Sequence, residues 1–191
     1  MTGAPALLWV DCESTGLGPD AKLLEIGLRV TDTDLATIAE QSWILPYGEI
    51  EAGYMREDAD QIVRDMHDAS GLWVECAVPG LDPLSALDRR YDIRDEVTAW
   101  VTEHGKGLPI AGSSCRVDRD WLTGWIPELD TTLHYRMGDV SSVKVLALPW
   151  LTERYPEVLA SKPAALGRHR VMPDLDDSIV EASWFRAMFG L

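Results

Sequence analysis

The chain is poor in basic charge, in cysteine and in long apolar runs. Only 17 Lys and Arg stand against 32 Asp and Glu, a formal net charge of −15. A field of that sign repels a long polyanion, so binding of a long duplex is disfavoured unless a local basic patch opposes it. Acidic charge gathered around a metal is another matter, because bound cations reverse the local sign. Cys12, Cys76 and Cys115 are odd in number and share no CxxC or CxxH spacing, which reads as reduced thiols without a zinc site. No apolar run approaches the ~18 residues of a membrane span. The opening MTGAPALLWV lacks the basic start and long apolar stretch of a secretory signal. There is no internal repeat, low-complexity tract or linker. A soluble, cytoplasmic protein with a single domain over 1–191 is expected. At 46% apolar and 26% charged residues, it is long enough to bury a core without disulfides or structural metal.

What is present starts as a β-meander. Leu7–Val10 reads as a buried strand, and the Ser14–Asp20 segment is rich in turn residues. Leu24, Ile26, Leu28 and Val30 alternate, predicting a second strand with one buried face. After a turn at 31–34, Leu35–Leu45 supplies a third. Helices are then predicted over Arg56–Asp68, Leu84–His104, Val117–Ile126, Ser141–Leu151 and Pro173–Phe189. Short strands fall near Leu108–Ala111 and His134–Val140, and 155–170 reads as loop. Pro173 suits the first helical position, where no amide bond is lost. A meander followed by alternating helices and strands indicates an α/β domain with a mixed sheet. Most of the eight tryptophans, including Trp43, Trp73, Trp100 and Trp150, are expected in the core.

Five residues carry candidate chemistry. Asp11 and Glu13 end the first strand, and strand period puts both on one face. Side-by-side acids repel unless a proton or cation lies between them, and hard divalent cations favour such all-oxygen sites. At this acid content chance alone gives roughly five acid-x-acid triplets. The apolar strand before this pair and Ser14-Thr15-Gly16 after it set it apart. Asp118 begins a stripe continued by Trp121, Leu122 and Trp125. A carboxylate on that face needs a partner or a metal, although an acid at a helix start also has its own dipole rationale. His169, between Arg168 and Arg170, is either a general base or an ordinary surface histidine. Asp174 falls in the first turn of the last helix, where a capping role is open as well.

Taken in order, Asp11-x-Glu13, Asp118 and His169-x4-Asp174 resemble the three motifs of the DEDDh 3′→5′ exonucleases. The flanking residues are similar to one branch, the oligoribonucleases. These include LWVDCESTGL over Leu8–Leu17, His67–Leu72 and Gly112-x-Ser114-x3-Asp118-Arg119. The segment His134-Tyr135-Arg136-x2-Asp139-Val140-Ser141-Ser142-x-Lys144 is absent from general proofreading exonucleases. Matches run from Leu8 to about Arg186. The chain departs from the pattern at Ser113, where asparagine is usual, at Pro173, where an acid is more common, and ahead of His67, where a tryptophan is missing.

The resemblance implies an RNase H-like fold, a mixed five-stranded sheet flanked by helices, and two divalent cations, Mg²⁺ or Mn²⁺. Asp11 would bridge both cations, with Glu13, Asp118 and Asp174 completing their shells and His169 taking a proton from the attacking water. The implied substrate is short single-stranded RNA, finally dinucleotides, cut to mononucleotides. Leu17 would wedge between the bases and His67 stack near them. Ser114, Arg136, Ser141 and Ser142 would cap the 5′-phosphate, with Tyr135 and Arg136 reaching in from the second subunit of a homodimer. Read singly, Leu17 also serves as turn packing, Tyr135 as a strand-edge core residue and Ser141 as a helix N-cap. A broader DEDDh exonuclease acting on single-stranded DNA or longer RNA, and a silent RNase H-like binding module, stay open as alternatives.

Overall fold

Alternating apolar residues build three antiparallel strands at the start of the chain: β1 (Leu7–Ser14), β2 (Leu23–Thr31) and β3 (Thr37–Ile44). The computed structural model describes residues 3–18 and 20–190. Pro19 of the turn segment, Met1 and Thr2 of the opening stretch, and Leu191 lie outside the described residues. The chain continues through β4 (Tyr47–Gly48), α1 (Glu49–Asp58), α2 (Gln61–Ser70), α3 (Leu72–Cys76) and β5 (Ala77–Val78). Next come α4 (Pro83–Trp100) with a π-helical turn (Val101–Gly105), β6 (Ile110–Gly112), α5 (Arg116–Trp125) and α6 (Leu129–Thr132). The last elements are β7 (Met137–Asp139), α7 (Val140–Arg154), α8 (Pro156–Leu159) and α9 (Val171–Met188). The main sheet has five strands in the order β3-β2-β1-β6-β7, and β4 pairs with β5 in a small separate sheet. β6 and β7 run parallel to β1, which makes the main sheet mixed, as expected.

Several boundaries differ from the sequence reading. The helix expected over Arg56–Asp68 is two helices, because Ala59 turns extended (ψ 147°) and packs into the core. Arg64 then donates to the freed carbonyls of Glu57 (3.2 Å) and Ala59 (2.8 Å). The stretch read as loop contains the one-turn α8. The last helix starts at Val171, ahead of Pro173, yet its first i→i−4 bond is Asp174 N–H to Arg170 O (3.0 Å), so the proline still costs no bond. Trp43 and Trp73 are buried and Trp100 packs edge-on against Trp43, but Trp150 is 63% exposed.

The two faces of β1 serve different cores. Leu8, Val10 and Cys12 point into the larger core, shared with Val97 of α4 and Leu122 of α5. Trp9 points the other way, into a smaller cluster with Ala111, Val140, Leu175 and Phe185 under α9. Asp11 and Glu13 continue the Trp9 face, beyond the point where that apolar packing ends.

β2 corrects the expectation of one buried face, since all nine of its residues are buried. Leu24, Ile26, Leu28 and Val30 enter the larger core, while α9 covers Glu25, Gly27 and Arg29 on the opposite face. Gly27, paired with Asp11 in the ladder, is where α9 comes closest: a Cβ there would stand 2.6 Å from Val171 Cβ.

Overpacking of that kind costs about 1–3 kcal/mol. Gly27→Ala is therefore expected to lower the thermal midpoint. An unchanged midpoint in Gly27→Ala contradicts the close seating of α9 on β2.

Candidate active site

The site forms where three elements end. β1 brings Asp11 and Glu13, the first turn of α9 brings Asp174, and α5 brings Asp118. One carboxylate oxygen from each of Asp11, Glu13 and Asp174 lies within 4.8 Å of the other two. Asp118 stands next to this trio. β6 follows β1 only as far as Trp9↔Ala111, which leaves the Cys12 amide beyond the ladder. Asp118 Oδ1 accepts that amide at 2.9 Å and so fastens α5 to the strand between the two acids.

Crowding and burial act on these acids in the same direction. Asp11 is pushed well above the usual carboxylate range, first by burial and then by the charges of Asp118, Glu13 and Asp174. Glu13 is pushed up to about 8 by burial, then by Asp174, Glu25 and Asp118, with Arg170 opposing. Asp118 rises to about 7 through burial, against the pull of the Cys12 amide. Burial also raises Asp174, with His169 opposing. At neutral pH such a group either retains protons or takes up cations. Asp174 Oδ1 is buried without a hydrogen-bond partner. An all-oxygen donor set with an unsatisfied lone pair fits a hard divalent cation.

His169 stands immediately before the α9 cap residue, Arg170, exposed and in left-handed backbone (φ +53°). The loop leading to it is strapped along one face of α9. Ser161 Oγ accepts Trp184 Nε1–H at 3.0 Å, Lys162 pairs with Glu181 at 2.6 Å, and the amides of Leu166 and Gly167 donate to Asp177 Oδ2 at 2.6 and 3.2 Å. Asp177, Glu181 and Trp184 follow Asp174 at helical spacing, so the stripe of α9 that begins at the acid cluster is also the seat of this loop. A cavity of about 280 Å³ opens between the loop, α9, Ser113 and Lys144, with Asp11 and Asp174 in its wall.

A second group assembles around Asp139, the cap of α7. Asp139 Oδ1 accepts the amides of Ser114 (2.8 Å) and Ser141 (3.0 Å), and Oδ2 accepts the Ser142 hydroxyl (2.7 Å). The hydroxyls of Ser114 and Ser141 meet at 3.2 Å, with Ser114 held at φ +60°. The three serines singled out from the sequence are thus brought together at a helix N-terminus. Arg136 is not joined to them by any side-chain hydrogen bond. Its guanidinium lies 5.3 Å from the exposed Tyr135 ring, which stacks on His134 at 4.6 Å. Leu17 is 83% exposed beyond the end of β1.

His67 has a different setting from the one expected of a residue stacking near bases. Its ring is fully buried, edge-on to Trp73, and offers no face to a ligand. Nε2–H donates to the Ser14 carbonyl at 2.9 Å and lies 3.9 Å from Glu13 Oε2, while burial lowers the imidazole pKa. Glu25, Gly27 and Arg170 were not singled out from the sequence. Glu25 and Gly27 look like the solvent face of an alternating strand until α9 is seen to cover them.

No family model matches the chain. Curated proteins nevertheless resemble it over nearly its full length. Identity is 38% with the oligoribonuclease of Streptomyces griseus, covering 94% of this chain and 84% of that protein. It is 38% with that of Tropheryma whipplei (96% and 92%) and 36% with that of Mycobacterium ulcerans (94% and 79%). Among solved structures, the zinc-bound E. coli exonuclease I–ssDNA complex superposes with a TM-score of 0.60 at 13% identity, over 96% of this chain and 42% of that one. Exonuclease I of Methylocaldum szegediense gives a TM-score of 0.57 at 15% identity, over 95% and 40%. The chain therefore spans about two fifths of these structures, and at such identity the likeness is one of fold, the exonuclease (RNase H-like) fold. Sequence identity over nearly the whole length carries more than fold: the chain belongs to the oligoribonuclease family.

Proposed function

We propose that the protein is a 3′→5′ exoribonuclease that degrades short single-stranded RNA, above all 5′-phosphorylated dinucleotides, to mononucleotides. It works with two divalent cations, Mg²⁺ or Mn²⁺. The observation that carries this reading is the close trio of buried Glu13 and half-buried Asp11 and Asp174, with its unpartnered Asp174 oxygen, beside an exposed histidine. Asp11, Glu13 and Asp174, with Asp118 at the Cys12 amide, are the residues to hold the cations. When bound, divalent cations stabilise the entering and leaving oxygens of an in-line phosphoryl displacement and neutralise the acids that would repel the substrate.

The chain's own residues take the remaining tasks. His169 receives the proton of the attacking water at its ring nitrogen. Its exposure supports that role, because the ring has a free approach. Leu17 is free to wedge between two bases. Ser114, Ser141 and Ser142, arranged by Asp139 at the positive end of α7, suit a terminal phosphate. His67, enclosed under Ser14, holds the backbone just after Glu13 instead of meeting a base. A cap at the 5′ end selects for length, since a longer strand collides with it. A substrate that short needs no basic track, in keeping with the net charge of −15.

Homodimerisation is part of the proposal. β7 is an edge strand whose exposed Met137 lines a groove with exposed Leu146 and Phe189, and exposed Tyr135 lies just before it in the chain. Unpaired edges and contiguous apolar surface favour association, which would carry Tyr135 and Arg136 to the partner's site. No described helix is long and apolar enough to cross a membrane. Three buried, unpaired cysteines are compatible with the reducing cytoplasm, where we place the protein.

A length series tests the reading. Initial rates on 5′-phosphorylated RNA of two to about ten nucleotides, with Mg²⁺ or Mn²⁺, are expected to peak at the dinucleotide and to vanish with chelator. A rate flat or rising with length, or high on single-stranded DNA, would instead place the protein among broader exonucleases. Arg136→Ala is expected to slow phosphorylated dinucleotides much more than unphosphorylated ones, and equal losses would remove it from the phosphate cap. His169→Ala is expected to lower kcat by about 10²–10⁴-fold while leaving Mn²⁺ affinity near wild type. Loss of metal in that variant would make His169 a ligand or a structural residue.

A further inference from the structure

Between His169 and Asp174, the two α9-side residues of the site, lies Arg170, a charged side chain that the proposed chemistry does not use. Glu25 faces Glu13 directly across the β1–β2 ladder and is 3% exposed. Arg170 grips it with a fork: Nε to Oε2 at 2.9 Å and Nη2 to Oε1 at 3.1 Å. The same guanidinium makes a second fork to Glu75 on α3, Nη1 to Oε1 at 2.8 Å and Nη2 to Oε2 at 3.0 Å. The Val171 amide also points at Glu25 Oε2, at 3.4 Å. One residue, placed immediately after His169 and capping α9, thus joins β2, α3 and α9 at the rim of the acid cluster.

Two consequences follow from this geometry. A guanidinium held by two carboxylates through four hydrogen bonds has little freedom to slide or rotate, so the backbone at position 170 is fixed against the sheet. That backbone sets the start of α9, and Asp174 belongs to its first turn. The second consequence is electrostatic. An unpaired Glu25 would be one more buried anion next to Glu13, and the charge of Arg170 cancels it. The opposed effects of Glu25 and Arg170 on Glu13 agree with this.

We infer that Arg170 is the positioning residue of the site: through its paired forks to Glu25 and Glu75 it fixes Asp174 and His169 against Asp11 and Glu13, without itself touching substrate. This rests on the metal-dependent nuclease reading given above. Lysine keeps the charge but cannot make the double fork, so Arg170→Lys separates geometry from charge. Glu75→Gln removes only the outer charge and leaves the buried pair intact.

The test measures three quantities on each protein: kcat and KM on a 5′-phosphorylated dinucleotide, the Mn²⁺ dissociation constant by calorimetry without substrate, and the unfolding midpoint. Arg170→Lys is expected to lower kcat and Mn²⁺ affinity each by about 10–100-fold, the usual cost of losing a residue that orients metal ligands, with KM little changed. Glu75→Gln should show a smaller loss of the same kind at a wild-type midpoint. Wild-type kcat and Mn²⁺ affinity in Arg170→Lys would overturn the inference, as would a loss confined to KM. If Arg170→Lys does not fold, Glu75→Gln decides: unchanged kcat and Mn²⁺ affinity count against the inference. If the wild-type protein turns over no dinucleotide, the nuclease reading fails by itself. The substrate-free Mn²⁺ comparison then still supports or overturns the positioning role.

Discussion

Repulsion among crowded carboxylates, two of them buried and two half-buried, is the constraint on which the rest of the structure turns. Asp11, Glu13 and Asp174 come within 4.8 Å of one another with Asp118 close by, and neither burial nor proximity favours their charged forms. Left alone, such a group tends to spread apart or to protonate. Covalent connection along β1 fixes two of the acids on one strand face, but Asp118 and Asp174 arrive from α5 and α9, more than a hundred residues later in the chain. Every contact that seats those helices therefore works against this repulsion.

The seating is visible residue by residue. Asp118 takes the strand amide that β6 leaves unpaired. α9 is held along one row of β2: Glu25 to Arg170, Gly27 under Val171, and Arg29 to Asp176 at 2.6 Å. Behind it, Leu175 and Phe185 pack with Trp9 in the smaller core. Trp9, Asp11 and Glu13 are successive residues on one strand face, so the apolar packing that stabilises α9 and the acids that need α9 lie on the same line. A divalent cation would then reverse the sign of the interaction, turning mutual repulsion into shared ligation.

Much of this is legible in the sequence, though unevenly. The meander shows because period-two alternation in Leu24–Val30 is a local signal, and the acid set shows because its members match a family pattern in order. The second buried face of β2 does not show. Glu25 and Arg29 look like solvent-facing residues, and only a helix some 145 positions away makes them interior. The same holds for Arg170, which reads as one basic residue in a short basic run until its two acidic partners are in place. His67 lies in a recognisable motif, yet its burial under Ser14 depends on how α2 docks on β1, which spacing along the chain does not encode. The Ser114–Ser141–Ser142 group is intermediate: the residue types suit a phosphate, but Asp139, which arranges them, is hidden among 32 acids.

In the metal-free site these acids hold protons where a divalent cation would otherwise offset their charge. Glu13 is pushed up to about 8 and Asp118 to about 7, so at pH 7 the metal-free site retains protons that unfolded carboxylates would have lost. Ligation requires the deprotonated forms, hence cation binding must release protons. The most direct measurement is calorimetry of Mn²⁺ binding to the wild-type protein at pH 7, in two buffers of different ionisation enthalpy. Binding whose apparent enthalpy shifts with the buffer, corresponding to net release of about one proton or more, is the expected result. Binding with the same enthalpy in both buffers, or no binding at all, would contradict the account.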